Sequence, residues 1–310
     1  MHMLVDTLPP LTGRDFLRVE DLSTEEMVAV LDLADELKAM QGARMPHALL
    51  PGRTLGLIFQ KASTRTRVSF EVGMYQLGGS AVHLSAAEMQ LGRGEPIRDT
   101  GIVLGRYLDA IMILANSHAD VEELAAASTA PVINGLTELH HPCQALADVQ
   151  TLRERLGDLE SRRLAWVGDG HDNVCHSLLT AAGRMGMQIT VATPAGYEPD
   201  PDVVAGAGAV SVVEDPAEAV DGADAVVTDV WTSMGQEAER EQRLADLAPY
   251  QVNAELLAHA DPEHVVLHCL PAHCGEEITE EILHGPHSAA WDEAENRLHA
   301  QKALLAMLLA

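Results

Sequence analysis

The chain has 310 residues, which is too long for one ordinary hydrophobic core and suits about two domains. Apolar residues make up 47% of the chain, enough for buried cores, so general disorder is excluded. The 47 acidic and 20 basic residues give a formal net charge of −27, and such a surface repels nucleic-acid phosphates and anionic membranes. A small anionic substrate would need a local pocket of positive potential.

The predicted elements of the first half alternate between short apolar strands and helices. The capping box at Ser23 and Glu26 predicts a first helix that continues to Leu37. Strands are predicted at 53–59, 81–84, 109–114 and 131–134, and helices at 64–77, 96–108 and 121–127. Such alternation is typical of a parallel sheet covered by helices on both faces.

The alternation restarts after a polar boundary. A helix is predicted from Pro142 to about Leu156, and the polar stretch 157–161 follows it. Strands are then predicted at 164–167, 188–192, 210–213, 225–228 and 264–268, with helices between them and a last helix at 293–309. The sequence therefore predicts an α/β protein with two similar domains, each a parallel sheet flanked by helices.

The four cysteines indicate the cellular compartment. They are Cys143, Cys175, Cys269 and Cys274, and they form no CxxC pair. This spacing predicts reduced thiols in a cytoplasmic protein. The first ten residues lack the apolar stretch of a signal peptide, and no apolar run reaches the roughly 18 residues of a membrane span.

A turn rich in hydroxyl groups follows the first predicted strand. It consists of Ser63, Thr64, Arg65 and Thr66 and forms the first turn of a predicted helix. Unpaired N–H groups and the helix dipole favour an anion there, and Arg65 can form a two-pronged bond with a phosphate. A plain N-cap with solvated arginines explains the pattern about equally well.

Two further segments place polar side chains after predicted strands. His141 and Gln144 flank a helix start, where a histidine can donate to a carbonyl oxygen, although a simple histidine cap is the more common reading of this segment. The run from Gly168 approaches a dinucleotide-binding fingerprint, but Asn173 occupies the place of its third glycine. An asparagine at a strand end can instead bind the carboxylate or amine of an amino acid.

The last two segments combine acidic, thiol and imidazole groups. Asp229 ends a buried strand, where a cationic amine would satisfy its carboxylate; an ordinary polar loop is the alternative. The segment from His268 to Cys274 holds two cysteines and two histidines, but their spacing does not match a zinc site, so no metal is expected. The Leu270–Pro271 bond is a candidate for the cis form.

Taken together and in this order, the five segments resemble the ornithine carbamoyltransferase family, whose close relatives are the aspartate carbamoyltransferases. The resemblance runs from about Phe16 to Leu309 and includes the segment 293–297. It implies transfer of the carbamoyl group of carbamoyl phosphate to the δ-amine of L-ornithine, which gives L-citrulline and phosphate. It implies no cofactor and no metal.

The resemblance also implies domains and site residues. Residues 1–145 and 293–310 would bind carbamoyl phosphate, with the last helix crossing back to this domain, and residues 146–292 would bind ornithine. The carbamoyl-phosphate contacts would be Ser63, Thr64, Arg65, Thr66, Gln90, His141, Gln144, Cys269, Leu270 and Arg297. The ornithine contacts would be Asn173, Asp229, Ser233 and Met234. The catalytic residues would be Arg65, His141, Asp229 and Cys269.

Further implications concern assembly and the proton. Gln90 matches a residue that reaches into a neighbouring subunit's site, which implies a homotrimer, or a multiple of trimers, with shared active sites. An amine of pKa about 10.4 must lose a proton before it attacks. Asp229, Cys269 and the departing phosphate are the candidate acceptors.

One position departs from the family. Leu114 stands where the family has an arginine that contacts the carbamoyl group, and loss of one oxyanion donor typically costs about 10²–10³ in rate. Asn116, His118 or Arg106 would have to take its place. Two alternatives therefore stay open: transfer to a related amine such as lysine or putrescine, and a weakly active paralogue. A nicotinamide dehydrogenase is a further alternative that depends only on the glycine run.

Overall fold

The computed structural model describes residues 11–233 and 237–309. These residues form two units. Unit 1 extends to Ala147 and resumes at Glu295, whereas unit 2 is Asp148–Ala294. Each unit contains one parallel sheet with helices, so the predicted fold class is confirmed.

The secondary structure follows the predicted alternation. The strands are β1 (Thr54–Phe59), β2 (Ser80–Ser85), β3 (Ala110–Leu114), β4 (Val132–Leu136), β5 (Arg163–Val167), β6 (Gln188–Ala192), β7 (Val210–Val213), β8 (Ala225–Thr228) and β9 (Val265–His268). The helices are α1 (Thr24–Gly42), α2 (Thr64–Gln76), α3 (Ile97–Leu104), α4 (His118–Ala127), α5 (Pro142–Leu156), α6 (Asn173–Arg184), α7 (Pro201–Gly206), α8 (Pro216–Val220), α9 (Arg240–Leu247), α10 (Ala254–Leu257), α11 (Glu280–Leu283) and α12 (Ala290–Leu309). No helix in this described part of the chain is long and apolar enough to cross a bilayer.

Local signals explain where several elements begin and end. The predicted capping box is present at α1, since Ser23 accepts the N–H of Glu26 and the Glu26 carboxylate accepts the N–H of Ser23. Helix α3 is shorter than predicted, because its C-cap is Gly105 and the chain then turns before β3. A side chain at Gly105 would collide with Ser128 and the backbone of Thr129, so this close approach needs glycine.

Strand order decides which loops become neighbours. The four-stranded sheet has the order β2-β1-β3-β4, and the five-stranded sheet has the order β7-β6-β5-β8-β9. All pairs are parallel. The carboxyl ends of β1 and β3 are therefore adjacent in unit 1, and those of β5, β8 and β9 are adjacent in unit 2. These are the edges where ligands bind in open α/β sheets.

Apolar side chains of the strands and helices fill the cores. In unit 1, Ile58, Ile111, Ile113, Val121 and Leu124 belong to one fully buried cluster. A larger cluster in unit 2 surrounds β5 and β8. Because strands buried on both faces are continuously apolar, their sequences revealed them readily.

A buried lysine fastens α12 to unit 1. The Nζ of Lys302 donates to Gln41 of α1 at 3.0 Å and to Gln76 of α2 at 2.9 Å. It also lies 3.2 Å from Nε2 of His47, whose Nδ1 is 2.9 Å from the carbonyl oxygen of Met45. Burial of the Lys302 ammonium group lowers its pKa from 10.5 to about 8.

This lowered pKa predicts an unusual dependence of stability on pH. The folded chain binds fewer protons than the unfolded chain between pH 8 and 10.5, so the contribution of Lys302 to stability rises with pH across this window. The free energy of unfolding of the wild type should rise by up to about 3 kcal/mol relative to Lys302→Met. Chemical denaturation of both proteins at several pH values measures this difference. A difference that stays flat from pH 8 to 10.5 would contradict the burial of a charged lysine.

Candidate active site

The expected phosphate loop lies at the start of α2. Ser63 is its N-cap, but the Ser63 side chain makes no capping hydrogen bond, so the hydroxyl is not committed to the helix. Thr64 and Arg65 are exposed in the first turn, whereas Thr66 is buried. Backbone N–H groups, hydroxyl groups and a guanidinium therefore come together at one helix N-terminus, which is the arrangement that binds anions.

A cavity of about 320 Å³ adjoins this turn. It is lined by Phe59, Gln60, Lys61, Ala62, Ser63, Thr64, Arg67, His83, Ser85 and Ala87. Arg67 lines this cavity and also pairs with Glu71 at 2.9 Å, whereas Arg65 is exposed on the same first turn and is not among the lining residues. Sequence reasoning missed Lys61 and His83. Lys61 stands two residues before the expected turn, whereas His83 is in β2 and enters only because β2 pairs with β1.

Arg297 of α12 connects the other expected carbamoyl-phosphate residues. Its guanidinium is buried and donates to Oε1 of Gln144 at 2.7 Å and to Oγ1 of Thr66 at 3.2 Å. It also donates to Oε1 of Gln301 at 3.0 Å and lies 3.5 Å from Nε2 of His141. The structure thus brings three of the predicted residues, Thr66, His141 and Gln144, together around the predicted Arg297.

His141 is held in one protonation state. Burial lowers the pKa of His141 well below its usual value, and the positive charges of Arg297 and Arg65 lower it further. The imidazole is therefore neutral. Because a guanidinium can only donate, Nε2 faces Arg297 as an acceptor and the ring proton lies on Nδ1. His141 can therefore act as a neutral hydrogen-bond donor through Nδ1.

The side chain of Leu114 is apolar and offers no hydrogen-bond donor. It is the last residue of β3, is fully buried, and accepts the N–H of Gln60 through its carbonyl oxygen. Arg106 precedes β3 and so lies at the opposite end of a strand roughly 13 Å long. It is therefore poorly placed to act for Leu114. Asn116 and His118 follow Leu114 at the correct edge.

In unit 2, Asp229 and Cys269 meet at the carboxyl ends of β8 and β9. The Cys269 thiol donates to Oδ1 of Asp229 at 3.0 Å, and the N–H of Val230 donates to the same oxygen at 2.7 Å. Burial and the Asp229 charge raise the pKa of Cys269 well above its usual value, so sulfur stays a thiol. Burial also raises the pKa of Asp229. This favours Asp229 over Cys269 as a proton acceptor.

His268 positions the segment that follows strand β9. Its Nδ1 accepts the N–H of Leu270 at 2.9 Å, and its Nε2 lies 3.1 Å from Oε1 of Glu277. Leu270 has a positive φ of 60°, and the Leu270–Pro271 bond is cis, as the sequence suggested. A leucine rarely adopts this backbone conformation, so the His268 contact helps to hold it.

Asp172 lies beside the Asp229 site. It is the N-cap of α6, accepting the N–H groups of Val174 and Cys175 through Oδ1, while Oγ of Ser233 donates to Oδ2 at 3.4 Å. Burial and the charges of Asp229 and Asp169 raise the pKa of Asp172 well above its usual value. Asn173 follows as the first residue of α6. Met234, also expected at this site, lies outside the described residues.

The glycine run before Asp172 is not built for a dinucleotide. A side chain at Gly170 would collide with Pro199 and the carbonyl oxygen of Tyr197, so packing explains this glycine. The first N–H groups of α6 are already accepted by a carboxylate, where a pyrophosphate would otherwise bind. These contacts argue against the dehydrogenase alternative.

Comparison with protein families finds two family models that match consecutive parts of the chain. Residues 14–154 match the family model described as aspartate/ornithine carbamoyltransferase, carbamoyl-P binding domain. Residues 160–308 match the corresponding Asp/Orn binding domain. The chain belongs to the aspartate/ornithine carbamoyltransferase family. Together the two matches leave out only residues 1–13, 155–159 and 309–310.

Relatives in this family are similar along nearly their full lengths. An ornithine carbamoyltransferase of Carboxydothermus hydrogenoformans is 55% identical, covering 96% of this chain and 98% of that protein. An ornithine carbamoyltransferase from Pyrococcus furiosus, described as anabolic, is 51% identical, covering 96% of this chain and 97% of that protein. The solved structure of ornithine carbamoyltransferase from Pyrococcus furiosus has a TM-score of 0.94 and 50% identity, covering 97% of this chain and 99% of that one.

The buried carboxylate of Asp172 predicts a stabilising substitution. Asp172→Asn keeps the capping oxygen but removes the charge, so its free energy of unfolding at pH 7 should exceed that of the wild type. Because a raised pKa destabilises the folded state only above the unfolded value of about 3.9, the difference should shrink as the pH falls toward 4. Chemical denaturation at pH 4 to 7 measures it.

Asp215→Asn is the matched control. Asp215 is likewise an N-cap that accepts a backbone N–H, but it is exposed, so this substitution should change stability little. Equal effects of the two substitutions would show that burial of the Asp172 charge is not their cause.

Proposed function

We propose that the chain transfers the carbamoyl group of carbamoyl phosphate to the δ-amine of L-ornithine, giving L-citrulline and phosphate. The similarity to ornithine carbamoyltransferases at 50–55% identity, over nearly the whole of each protein, carries this conclusion. Citrulline formation is a step of arginine biosynthesis. Transfer to a different amine and a weakly active paralogue are not favoured by these relatives.

In the proposed reaction, unit 1 binds carbamoyl phosphate. Ser63, Thr64, Arg65 and Thr66 hold the phosphate at the N-terminus of α2, and the hydroxyl of Ser63, uncommitted to helix capping, supports this role. Lys61 and Arg67 add positive charge along the adjoining cavity. This supplies the local positive potential that a chain of net charge −27 needs for an anionic substrate.

The carbamoyl group is assigned to His141, Gln144 and Arg297. Neutral His141 donates its Nδ1 proton to the carbamoyl oxygen, where negative charge develops as the amine attacks. Burial lowers the pKa of His141 and the charges of Arg297 and Arg65 lower it further, so the ring is neutral. Arg297 orients the Gln144 amide, because it donates to the oxygen of that amide at 2.7 Å. Leu114 adds no donor, so these residues and Arg65 must stabilise the oxyanion between them.

Unit 2 is assigned to ornithine. Asp229 accepts a hydrogen bond from the δ-ammonium group of ornithine. The Cys269 thiol holds one oxygen of Asp229 in place by donating a hydrogen bond to it. The raised pKa of Asp229 suits it to take the proton that the δ-amine must lose. The nitrogen then attacks the carbamoyl carbon, the bond from that carbon to the phosphate oxygen breaks, and the departing phosphate takes the second proton that the attacking nitrogen loses. Asn173, Ser233 and Met234 are assigned to the α-amino and carboxylate groups.

No cofactor or metal takes part in the proposed transfer, because the amine is itself the nucleophile and phosphate is a good leaving group. The reaction is placed in the cytoplasm. All four cysteines are free thiols, and Cys143 and Cys175 are buried. A cytoplasmic location keeps such thiols reduced.

Steady-state assays with a panel of amines test the proposal. Phosphate and citrulline should form in equal amounts only when carbamoyl phosphate and ornithine are both supplied. Asp229→Asn should lower kcat/KM for ornithine by about 10²–10³-fold, since it removes the amine ligand and proton acceptor. Asp215→Asn, which alters an exposed aspartate, should not lower it. Comparable rates with lysine or putrescine would instead support the related-amine alternative, and no turnover with any amine the paralogue.

We further propose a homotrimer with shared active sites. Val68, Val72 and Tyr75 form one exposed apolar stripe on α2, with exposed fractions of 50%, 37% and 81%. Such a stripe favours burial against another copy of the chain. Gln90, expected to reach a neighbour's site, is exposed on the same unit. The apolar stripe and the exposed glutamine support the trimer.

A charge within the α2 stripe should break the assembly. Val72→Asp should reduce the solution mass from three chains toward one, because the buried carboxylate would be unpaired. Turnover should fall with it, since Gln90 would no longer reach a neighbouring site. Val212→Asp is the matched control, because Val212 has a similar exposed fraction of 41% but lies in unit 2. Light scattering after size exclusion measures both masses; a wild type that is monomeric at assay concentration would refute the trimer.

A further inference from the structure

Three potential metal ligands lie together on the loop between β9 and α11. They are Nδ1 of His273 and Oε2 of both Glu276 and Glu277, and all three atoms lie within 4.8 Å of one another. His273 Nδ1 is 4.0 Å from the Glu276 oxygen and 3.9 Å from the Glu277 oxygen. These distances are too long for hydrogen bonds, so the imidazole does not satisfy either carboxylate.

Glu277 presents an unsatisfied oxygen to this cluster. The residue is fully buried, and its Oε1 accepts the N–H of His273 at 2.5 Å and lies 3.1 Å from Nε2 of His268. Its Oε2 is buried, and no hydrogen-bond donor reaches it within the described part of the chain. A buried carboxylate oxygen without a donor is costly, and a bound ion is one physical explanation for it.

Glu276 likewise has one carboxylate oxygen with a partner among the described residues and one without. Its Oε1 pairs with the guanidinium of Arg240, whereas its buried Oε2 has no hydrogen-bond partner among residues 11–233 and 237–309. Two adjacent carboxylates therefore each keep one oxygen satisfied and turn the other toward His273. The backbone assists this arrangement, since the N–H of Glu276 donates to the carbonyl oxygen of His273 and closes a tight turn.

We propose that His273, Glu276 and Glu277 bind a divalent transition-metal cation such as Zn²⁺ or Co²⁺. A tetrahedral cation at about 2.1 Å from each ligand would separate the ligand atoms by about 3.4 Å, so each carboxylate oxygen would have to approach Nδ1 of His273 by about half an ångström. Two carboxylates balance the charge of the cation. The imidazole nitrogen favours a transition metal over Mg²⁺ or Ca²⁺, and three protein ligands leave one position for water.

The site is accessible and separate from the proposed chemistry. The His273 side chain is 44% exposed, so a cation can enter from solvent. None of the three ligands has a proposed substrate contact. Glu277 is anchored through its other oxygen to His268, so binding would fix the turn that follows the cis Leu270–Pro271 bond. The proposed role of the cation is to stabilise this segment, not to activate a substrate.

Co²⁺ titration of the full-length chain tests the proposal. Asp229, His268 and Cys269 form a second cluster of potential ligands, so the comparison uses the Cys269→Ser background, which removes that thiol. In this background one Co²⁺ per chain should bind, with d–d bands and no thiolate charge-transfer band. His273→Ala should weaken binding by at least about tenfold, and Glu276→Gln should do the same. His259→Ala, at an exposed histidine elsewhere in unit 2, should not.

Calorimetry gives the affinities, and melting curves with EDTA verify that each variant is folded. Zn²⁺ should raise the melting temperature of the Cys269→Ser protein but not that of its His273→Ala variant. The proposal is overturned if Co²⁺ does not bind in this background, if His273→Ala binds as tightly as its parent, or if a thiolate band appears.

Discussion

The burial of one guanidinium, that of Arg297, is the constraint on which the first half-site depends. A buried cation must have its N–H donors satisfied, and here the acceptors include Gln144 and Thr66, two of the residues to which the proposed reaction assigns a substrate contact. The hydrogen bonds that satisfy Arg297 therefore also fix Gln144 and Thr66, while burial, together with the charges of Arg297 and Arg65, lowers the pKa of His141 and keeps it neutral. Arg297 therefore contributes to both the positioning and the electrostatics of these side chains.

Unit 2 buries negative charge, whereas unit 1 buries the positive charge of Arg297. Three buried acids, Asp172, Asp229 and Glu293, lie close enough to raise one another's pKa or that of a neighbour. Glu293 accepts the N–H of His268, and Asp229 accepts the Cys269 thiol, so part of this charge is stabilised locally. A cationic amine would relieve the remainder. The stability that this cluster costs is thus linked to the affinity for such a ligand.

The sequence predicted the elements well because strands buried on both faces are unmistakably apolar, and because the Ser23 capping box has a clear pattern. It also placed Asp229 correctly at the end of a buried strand. The grouping around Arg297 was foreseeable only through the family resemblance, since Gln144 and Arg297 are 153 positions apart. Which arginine of α2 lines the cavity depends on helix rotation, and spacing alone does not fix it. The carboxylates of Glu276 and Glu277 carry no periodic signal and were missed.

The two units treat the N-terminus of a helix in opposite ways. At α2 the cap hydroxyl of Ser63 makes no bond to the helix, which leaves its positive end open. At α6 the carboxylate of Asp172 already occupies the equivalent position. The N-terminus of α2 therefore keeps its positive potential available to an anion, whereas the N-terminus of α6 is already paired with a carboxylate of its own chain. The choice of one capping residue thus sets the sign of the charge that the end of a helix attracts.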